Sequence, residues 1–371
     1  MLPCVYGNGI KNSQTNAAAY TNIGGGYCAD FVNHLGNVIT APYIEDNAGC
    51  TIASANLIWQ TSAGMVTSVD IEKVDDKKYV LFNAGSIPET NGIALLSVND
   101  VSGNVMWSWM IWLTDDDLSP QAFTNYQSVD YGLMSENLGA IWNTERTTYF
   151  NPHFQWGRKD PMAPINGSGS QCTLYDISGN VYSGYGTFGS DCDHSAEKTV
   201  ANSIRMPNKF FLRYDDTSHN WNNLTRFNNY WNAAKNVDDL ADDQEVAIKT
   251  VYDPCPVGYM LPSGRAFTGF TTTGSNTETA SQFNVIGSFH SGWTFKRSTD
   301  DAVGNFFPAS GYRHYISGGL YDMGSYGRYW SYASDSQANV RSLRFYSGNV
   351  YPLNGNNRAF GFSVRPCQEF N

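Results

Sequence analysis

Asp191-Cys192-Asp193-His194 is the densest cluster of titratable and nucleophilic side chains in the 371-residue chain. A thiol beside an imidazole is the pairing of a cysteine nucleophile with its base, and all three residue types bind metals. The four residues are consecutive in a Gly-rich loop, so their side chains diverge. The six histidines (His34, His153, His194, His219, His290, His314) are dispersed without metal-ligand spacing. The seven cysteines (Cys4, Cys28, Cys50, Cys172, Cys192, Cys255, Cys367) include no Cys-x-x-Cys pair, so no structural zinc is expected. Cys172 with Cys192, and Cys255 with Cys367, are candidate disulfides; the alternative is that all are buried or incidental thiols. Asp115-Asp116-Asp117 could hold calcium, but consecutive side chains point different ways and a solvated linker is the better reading. Acid pairs at Asp238-Asp239, Asp242-Asp243 and Asp300-Asp301 read as solvated faces. No zincin, P-loop, nucleophile-elbow or dinucleotide-binding motif occurs. No catalytic residue, metal ligand or cofactor is therefore assigned.

A different chemistry is concentrated near the C-terminus. Between Gly311 and Pro366 lie six arginines (Arg313, Arg328, Arg341, Arg344, Arg358, Arg365) and two acids (Asp322, Asp335), with no Lys or Glu. The segment is thus about +4 within a chain of net charge −11. The acidic whole argues against nucleic acid as a partner. Tyr is abundant in the same segment. Exposed Tyr and Arg among Ser, Gly and Asn resemble an antibody paratope, with rigid aromatic anchors beside adaptable polar groups.

The elements that must position these residues read as β. Charged residues make up only 15% of the chain and aromatics 14%, with 35 Gly, which suits short strands and ordered loops rather than helices. Tyr79 to Phe82 reads as a short buried run, and Ile93 to Val98 as another. Asn99-Asp100 and Ser102-Gly103-Asn104 supply turn residues. Val105 to Leu113 follows, with Val105, Trp107, Trp109, Ile111 and Leu113 on one sheet face. Residues 1–117 are therefore expected to form an antiparallel β-sandwich-like domain with Trp107 and Trp109 buried. Residues 118–371 form a second domain, with a helix expected over Asn232–Lys249 and a hairpin turn at Gly348-Asn349. No run of about 18 apolar residues is present, so no membrane insertion is expected. No signal segment is visible at the start, and the abrupt opening at Leu2-Pro3-Cys4 reads as the beginning of a fragment of a longer secreted protein.

Several segments occur in an order that resembles a known family. They are Glu136-Asn137-Leu138-Gly139-Ala140, Phe154-Gln155-Trp156-Gly157-Arg158-Lys159-Asp160-Pro161, Tyr252-Asp253-Pro254-Cys255-Pro256-Val257-Gly258-Tyr259 and Phe267-Thr268-Gly269-Phe270. Phe307-Pro308-Ala309-Ser310-Gly311-Tyr312-Arg313, Gly327-Arg328-Tyr329-Trp330-Ser331 and Asn357-Arg358-Ala359-Phe360-Gly361-Phe362-Ser363-Val364-Arg365 complete the set. Together, over about residues 130–369, they resemble the "major paralogous domain" (FISUMP) type of C-type-lectin-like fold. That type occurs in surface lipoproteins and fimbrial-tip adhesins of gut anaerobes. Val5-Tyr6-Gly7-Asn8, Ile10-Lys11-Asn12 and the Val101–Asp115 stretch more weakly resemble the module that often precedes it.

The resemblance implies a β-rich, two-domain protein: an antiparallel β-sandwich-like domain, then an α+β C-type-lectin-like (formylglycine-generating-enzyme-like) domain. It implies an extracellular or cell-surface adhesin or pilus-tip protein whose partner is a protein or glycan on another cell or host surface, with pilus subunits as further partners. The Glu-Pro-Asn, Gln-Pro-Asp and Trp-Asn-Asp tripeptides of calcium lectins are absent, so no calcium-dependent sugar site is expected. The alternative is an enzyme on the formylglycine-generating scaffold, whose cysteine pair has no counterpart here. A related branch comprises variable proteins of diversity-generating retroelements. There, rewriting Asn codons can reach Tyr, Ser, Asp, His, Arg and Gly but never Lys, Glu, Gln, Met or Trp. The missing Lys and Glu fit that rule, with Met323, Trp330 and Gln337 as invariant scaffold. The expected ligand surface is His314, Tyr315, Tyr321, Asp322, Tyr326, Arg328, Tyr332, Asp335, Ser342, Arg344, Tyr346 and Tyr351. Leu343, Phe345, Phe362 and Val364 should lie beneath it.

Overall fold

The computed structural model describes residues 1–7, 17–85, 91–142, 149–225, 227–234, 247–335 and 339–369. The fold is β-rich, 38% strand and 5% helix, in several antiparallel sheets, none closed. In the first third run β1 (Ser54–Gln60), β2 (Val66–Val74), β3 (Lys77–Ala84), β4 (Gly92–Asn99) and β5 (Val105–Leu113). One sheet has the order β1-β4-β5, and a second sets β3 between Leu2–Pro3 and β2. Every residue of β4 is buried, which is why it reads as an unbroken apolar run. The turn into β5 is held by Asp100, whose side chain accepts from the amides of Ser102 (2.8 Å) and Asn104 (2.9 Å).

Trp107 and Trp109 are buried in β5, as the alternation requires. Burial is not confined to the odd face, however. Met106 and Ser108 are buried as well: Met106 joins the principal apolar cluster, and Ser108 Oγ donates to Asp160, which is ion-paired with Lys159 at 2.6 Å. The run Tyr79–Phe82 is a strand but not a buried one: of the four, Val80 alone is fully buried and Leu81 is exposed. Its β2–β3 ribbon turns one face to solvent.

Beyond residue 117 come β6 (Pro120–Thr124), β7 (Asp130–Met134) and β8 (Phe154–Gln155). The α-helix among the described residues, α1 (Val200–Arg205), was not foreseen; Thr199 caps it by accepting from the Asn202 amide at 3.1 Å. The helix expected over Asn232–Lys249 falls largely on residues 235–246, outside the described ones. Later come β9 (Gly292–Lys296), β10 (Gly304–Pro308), β11 (Tyr312–Arg313), β12 (Leu320–Tyr321), β13 (Gly327–Ser334), β14 (Asn339–Tyr346), β15 (Asn349–Asn357) and β16 (Gly361–Phe362). Two of their sheets matter for the site, a three-stranded β13-β14-β15 and a four-stranded β8-β16-β11-β12. The β14–β15 turn is Ser347-Gly348, one residue earlier than expected, because Tyr346 pairs with Asn349. That register sets Phe345 opposite Val350, both buried.

The largest cluster of buried side chains runs across residue 117. It joins Tyr6, Trp107 and Trp109 to Trp156, Trp221, Tyr252, Trp330 and Phe362. A second cluster packs Phe270, Phe295, Phe307, Tyr329, Leu343 and Phe345. The candidate disulfides do not form: no disulfide joins any of the seven cysteines. Cys255 and Cys367 are each sealed in the core, and Cys192 instead donates to Asp216 at 3.2 Å.

Candidate ligand-binding surface

Strand β13 passes between the two buried clusters, with Trp330 and Tyr332 in the larger and Tyr329 in the second. Alternation in β14 does the same: Val340 faces the first cluster, and Leu343 and Phe345 the second. The face shared by Arg328, Trp330, Ser342, Arg344 and Tyr346 is covered at one end only. There Phe362 of β16 stacks on Trp330 at 4.0 Å. At the other end the cover stops, and the side chains emerge.

What emerges is a continuous array of rings and guanidinium groups. Register places Arg328, Arg344 and Tyr351 in a row across three strands, Arg328 opposite Arg344 and Arg344 opposite Tyr351. Arg344 lies 5.1 Å from the Tyr351 ring and 5.4 Å from the Tyr326 ring. Tyr326 in turn packs on Tyr346 at 4.9 Å. Arg328 lies 4.4 Å from Tyr312 and 5.9 Å from Tyr326, which links the row to the β11–β12 hairpin. In that hairpin Tyr312 stacks on Tyr321 (5.8 Å, 18°), which is 47% exposed. His314 stacks on Tyr315 at 4.4 Å, and Tyr315 meets Phe360 edge-on at 4.6 Å. Arg213 closes the far end, 4.7 Å from the Tyr315 ring. Such contacts are worth about 0.5–2 kcal/mol each, so they hold the rings as fixed planes.

Electrostatics differ along the array. Burial lowers the pKa of His314, and its Nδ1 accepts from the Ile316 amide at 3.3 Å, so the ring is neutral at pH 7. Asp322 sits in the left-handed region (φ 56°), and its carboxylate hydrogen bonds with Tyr312, whose pKa is raised by burial first and then by Asp322. Tyr351 donates to Glu278. Burial pushes Arg328 down to about 10, and Arg344 acts in the same direction.

Nine of the twelve expected residues therefore join one surface: His314, Tyr315, Tyr321, Asp322, Tyr326, Arg328, Arg344, Tyr346 and Tyr351. Leu343, Phe345, Phe362 and Val364 are buried, as expected. Three expectations are corrected. Tyr332 is 1% exposed, since it lies under the covered end of the face, its amide donating to Pro262 O. Ser342, also 1% exposed, shares Arg344's face but lies under the same cover, where Asn356 donates to its hydroxyl. Asp335 lies at the opposite end of β13, ion-paired with Arg341 at 2.6 Å. Tyr312, Phe360, Arg213 and Glu278 belong to the array or flank it and were missed. The β11–β12 register would have revealed Tyr312, but no local signal brings residues as distant as Arg213 and Glu278 here.

The arginine excess also divides. Arg313, Arg358 and Arg365 are core residues, donating to Ala163 O (2.9 Å), Asn228 Oδ1 (2.6 Å) and Phe306 O (2.9 Å) respectively. Among the described residues no three His, Cys, Asp or Glu side chains converge as a metal site. Every thiol is shifted upward, burial being the largest cause; Cys192 stands at about 11. Set against known proteins, the chain matches no family, no curated protein and no solved structure.

Proposed function

We propose that this protein is an extracellular, cell-surface binding protein of the adhesin or pilus-tip kind, with a C-type-lectin-like second half, and that the Tyr/Arg array is where its ligand docks. One observation carries the reading: rings and guanidinium groups from β11 to β15 form a single half-buried surface, open to solvent at Tyr321 and Asp322, on strands whose opposite positions are core. Fixed Tyr planes with Arg between them have the composition of binding hot spots. The separation of outward from inward positions would let the outward ones vary without refolding, which suits retroelement diversification. The partner is a protein or glycan on another cell or host surface. A thiol enzyme is less favoured, because thiols shifted upward are protonated at neutral pH and poorly nucleophilic. No helix among the described residues is long and apolar enough to cross a membrane.

The test is binding of the full chain to glycan arrays, surface-protein arrays and intact cells. Tyr346→Ala and Arg344→Ala should each weaken binding by about 2 kcal/mol or more while unfolding remains cooperative and the melting temperature falls only slightly, and EDTA should have no effect. Binding indifferent to every substitution in the array would overturn the proposal. Diversification has its own test: the flanking DNA should carry an Asn-codon-rich near-copy of codons 311–366 beside a reverse-transcriptase gene.

A further inference from the structure

The pair Arg328–Arg344 sets two guanidinium groups side by side with no carboxylate directly ion-paired to either among the described residues. The two residues face each other directly in the β13–β14 ladder, an arrangement that like charges destabilise. Other arginines nearby are neutralised: Arg341 by Asp335, and Arg213 by Asp191 and Asp216. Among the described residues no carboxylate comes within 4.0 Å of either Arg328 or Arg344. Arg328 donates once, from Nη1 to Asn356 Oδ1 at 3.0 Å. Arg344 donates to no described residue, and the Nε of each is buried without an acceptor. Tyr326 lies beside both, with Tyr312 and Tyr351 on the outer sides.

From this placement we infer that Arg328 and Arg344 form a two-guanidinium cradle for the carboxylate of an acidic sugar. The inference rests on the ligand surface proposed above and names the chemistry that it recognises. Guanidinium forks match a carboxylate and make strong charge-assisted hydrogen bonds to it. A carboxylate between them would accept from their Nη groups and supply counter-charge. A single negative charge fits better than many. Asp322 and Glu278 flank the cradle, each engaged with a tyrosine, and the chain as a whole carries −11, so a polyanion would be repelled. The sugar ring follows from the neighbouring surface. Arg328 packs on Tyr312, and Tyr312 on the exposed, near-parallel Tyr321, so the apolar C–H face of a pyranose chair anchored by its carboxylate would lie against the outer face of Tyr321.

The experiment titrates the full chain with glucuronate, N-acetylneuraminate, neutral glucose and N-acetyl-triglycine at fixed ionic strength. It is read by calorimetry and by the arginine Nε–Hε resonances. The acidic sugars should saturate in the millimolar range and shift those resonances, and glucose should not. Arg328→Gln and Arg344→Gln should each weaken binding by about tenfold or more, the scale of a lost charge-assisted hydrogen bond. If Arg328→Gln lowers the melting temperature, Arg344→Gln alone decides. Equal binding by wild type and variants, or no saturation by any carboxylate, would overturn the cradle. Stronger binding of the peptide carboxylate would overturn the sugar. If the cradle fails while Tyr346→Ala still abolishes array or cell binding, the ligand surface stands without it.

Discussion

Arginine shows how far residue type alone can be read. Six arginines in one segment signalled a surface, but Arg313, Arg358 and Arg365 are buried and hydrogen-bonded to residues far away in sequence. Nothing local separates them from Arg328 and Arg344, because burial is decided by what packs above. Their substitutions should separate them. Arg358→Ala removes a buried cation that lies 5.1 Å from Trp156 and 4.9 Å from Phe227 and donates to Asn228. It should cost about 3 kcal/mol or more of stability, measured by chemical denaturation. Arg344→Ala gives up two ring contacts but relieves the like-charge pairing with Arg328, so it should cost less, about 1 kcal/mol, while losing ligand. A second residue-scale expectation concerns Asp253, fully buried and pushed up by desolvation to about 6. A carboxyl whose folded pKa is raised favours the fold while protonated, and that contribution is lost as pH rises through the folded value. Stability should therefore fall between pH 3.8 and about 6 relative to Asp253→Asn. Parallel pH profiles for the two proteins would refute this.

At the scale of elements, period-2 alternation was the most legible signal. It placed Leu343 and Phe345 inward and Arg344 and Tyr346 outward, and it made Val105–Leu113 a strand with both tryptophans buried. It could not say where along a strand the cover begins, so Ser342 and Tyr332 were misplaced on a face correctly assigned. Turns were legible where a side chain sets them, as at Asp100, and less so where register does, as at Ser347-Gly348. The β11–β12 hairpin depends on Gly311, at φ 61°, where an added Cβ would come within 2.4 Å of Tyr321 O and 2.3 Å of Met323 Sδ. Gly311→Ala should destabilise by at least about 2 kcal/mol and disturb the Tyr312–Tyr321 stack. Calorimetry and near-ultraviolet dichroism would register both, and an unchanged melting temperature would count against the argument.

For the whole molecule, composition indicated a β-rich chain correctly, and the core shows what composition could not. The principal cluster ties Tyr6, Trp107 and Trp109 to Trp156, Tyr252 and Trp330. Unfolding should consequently be one transition, with tryptophan fluorescence and far-ultraviolet dichroism coincident, and residues 118–371 alone should lack native fluorescence. Two separated transitions would show independent units instead. The sheet that carries the array has a further property, which lies in its margins. Beside β15, Thr277 exchanges two 3.0 Å backbone hydrogen bonds with Val350, and Asn276 accepts from the Leu353 amide. Beside β13, Trp330 and Ser363 are bridged by a 3.1 Å bond, and Ser363 donates to Arg328 O. Neither margin offers a long row of free amides to another copy of the chain, which is how exposed sheets template fibrils. The sheet that displays the tyrosines can therefore crowd against its own copies without pairing strand to strand through these two edges.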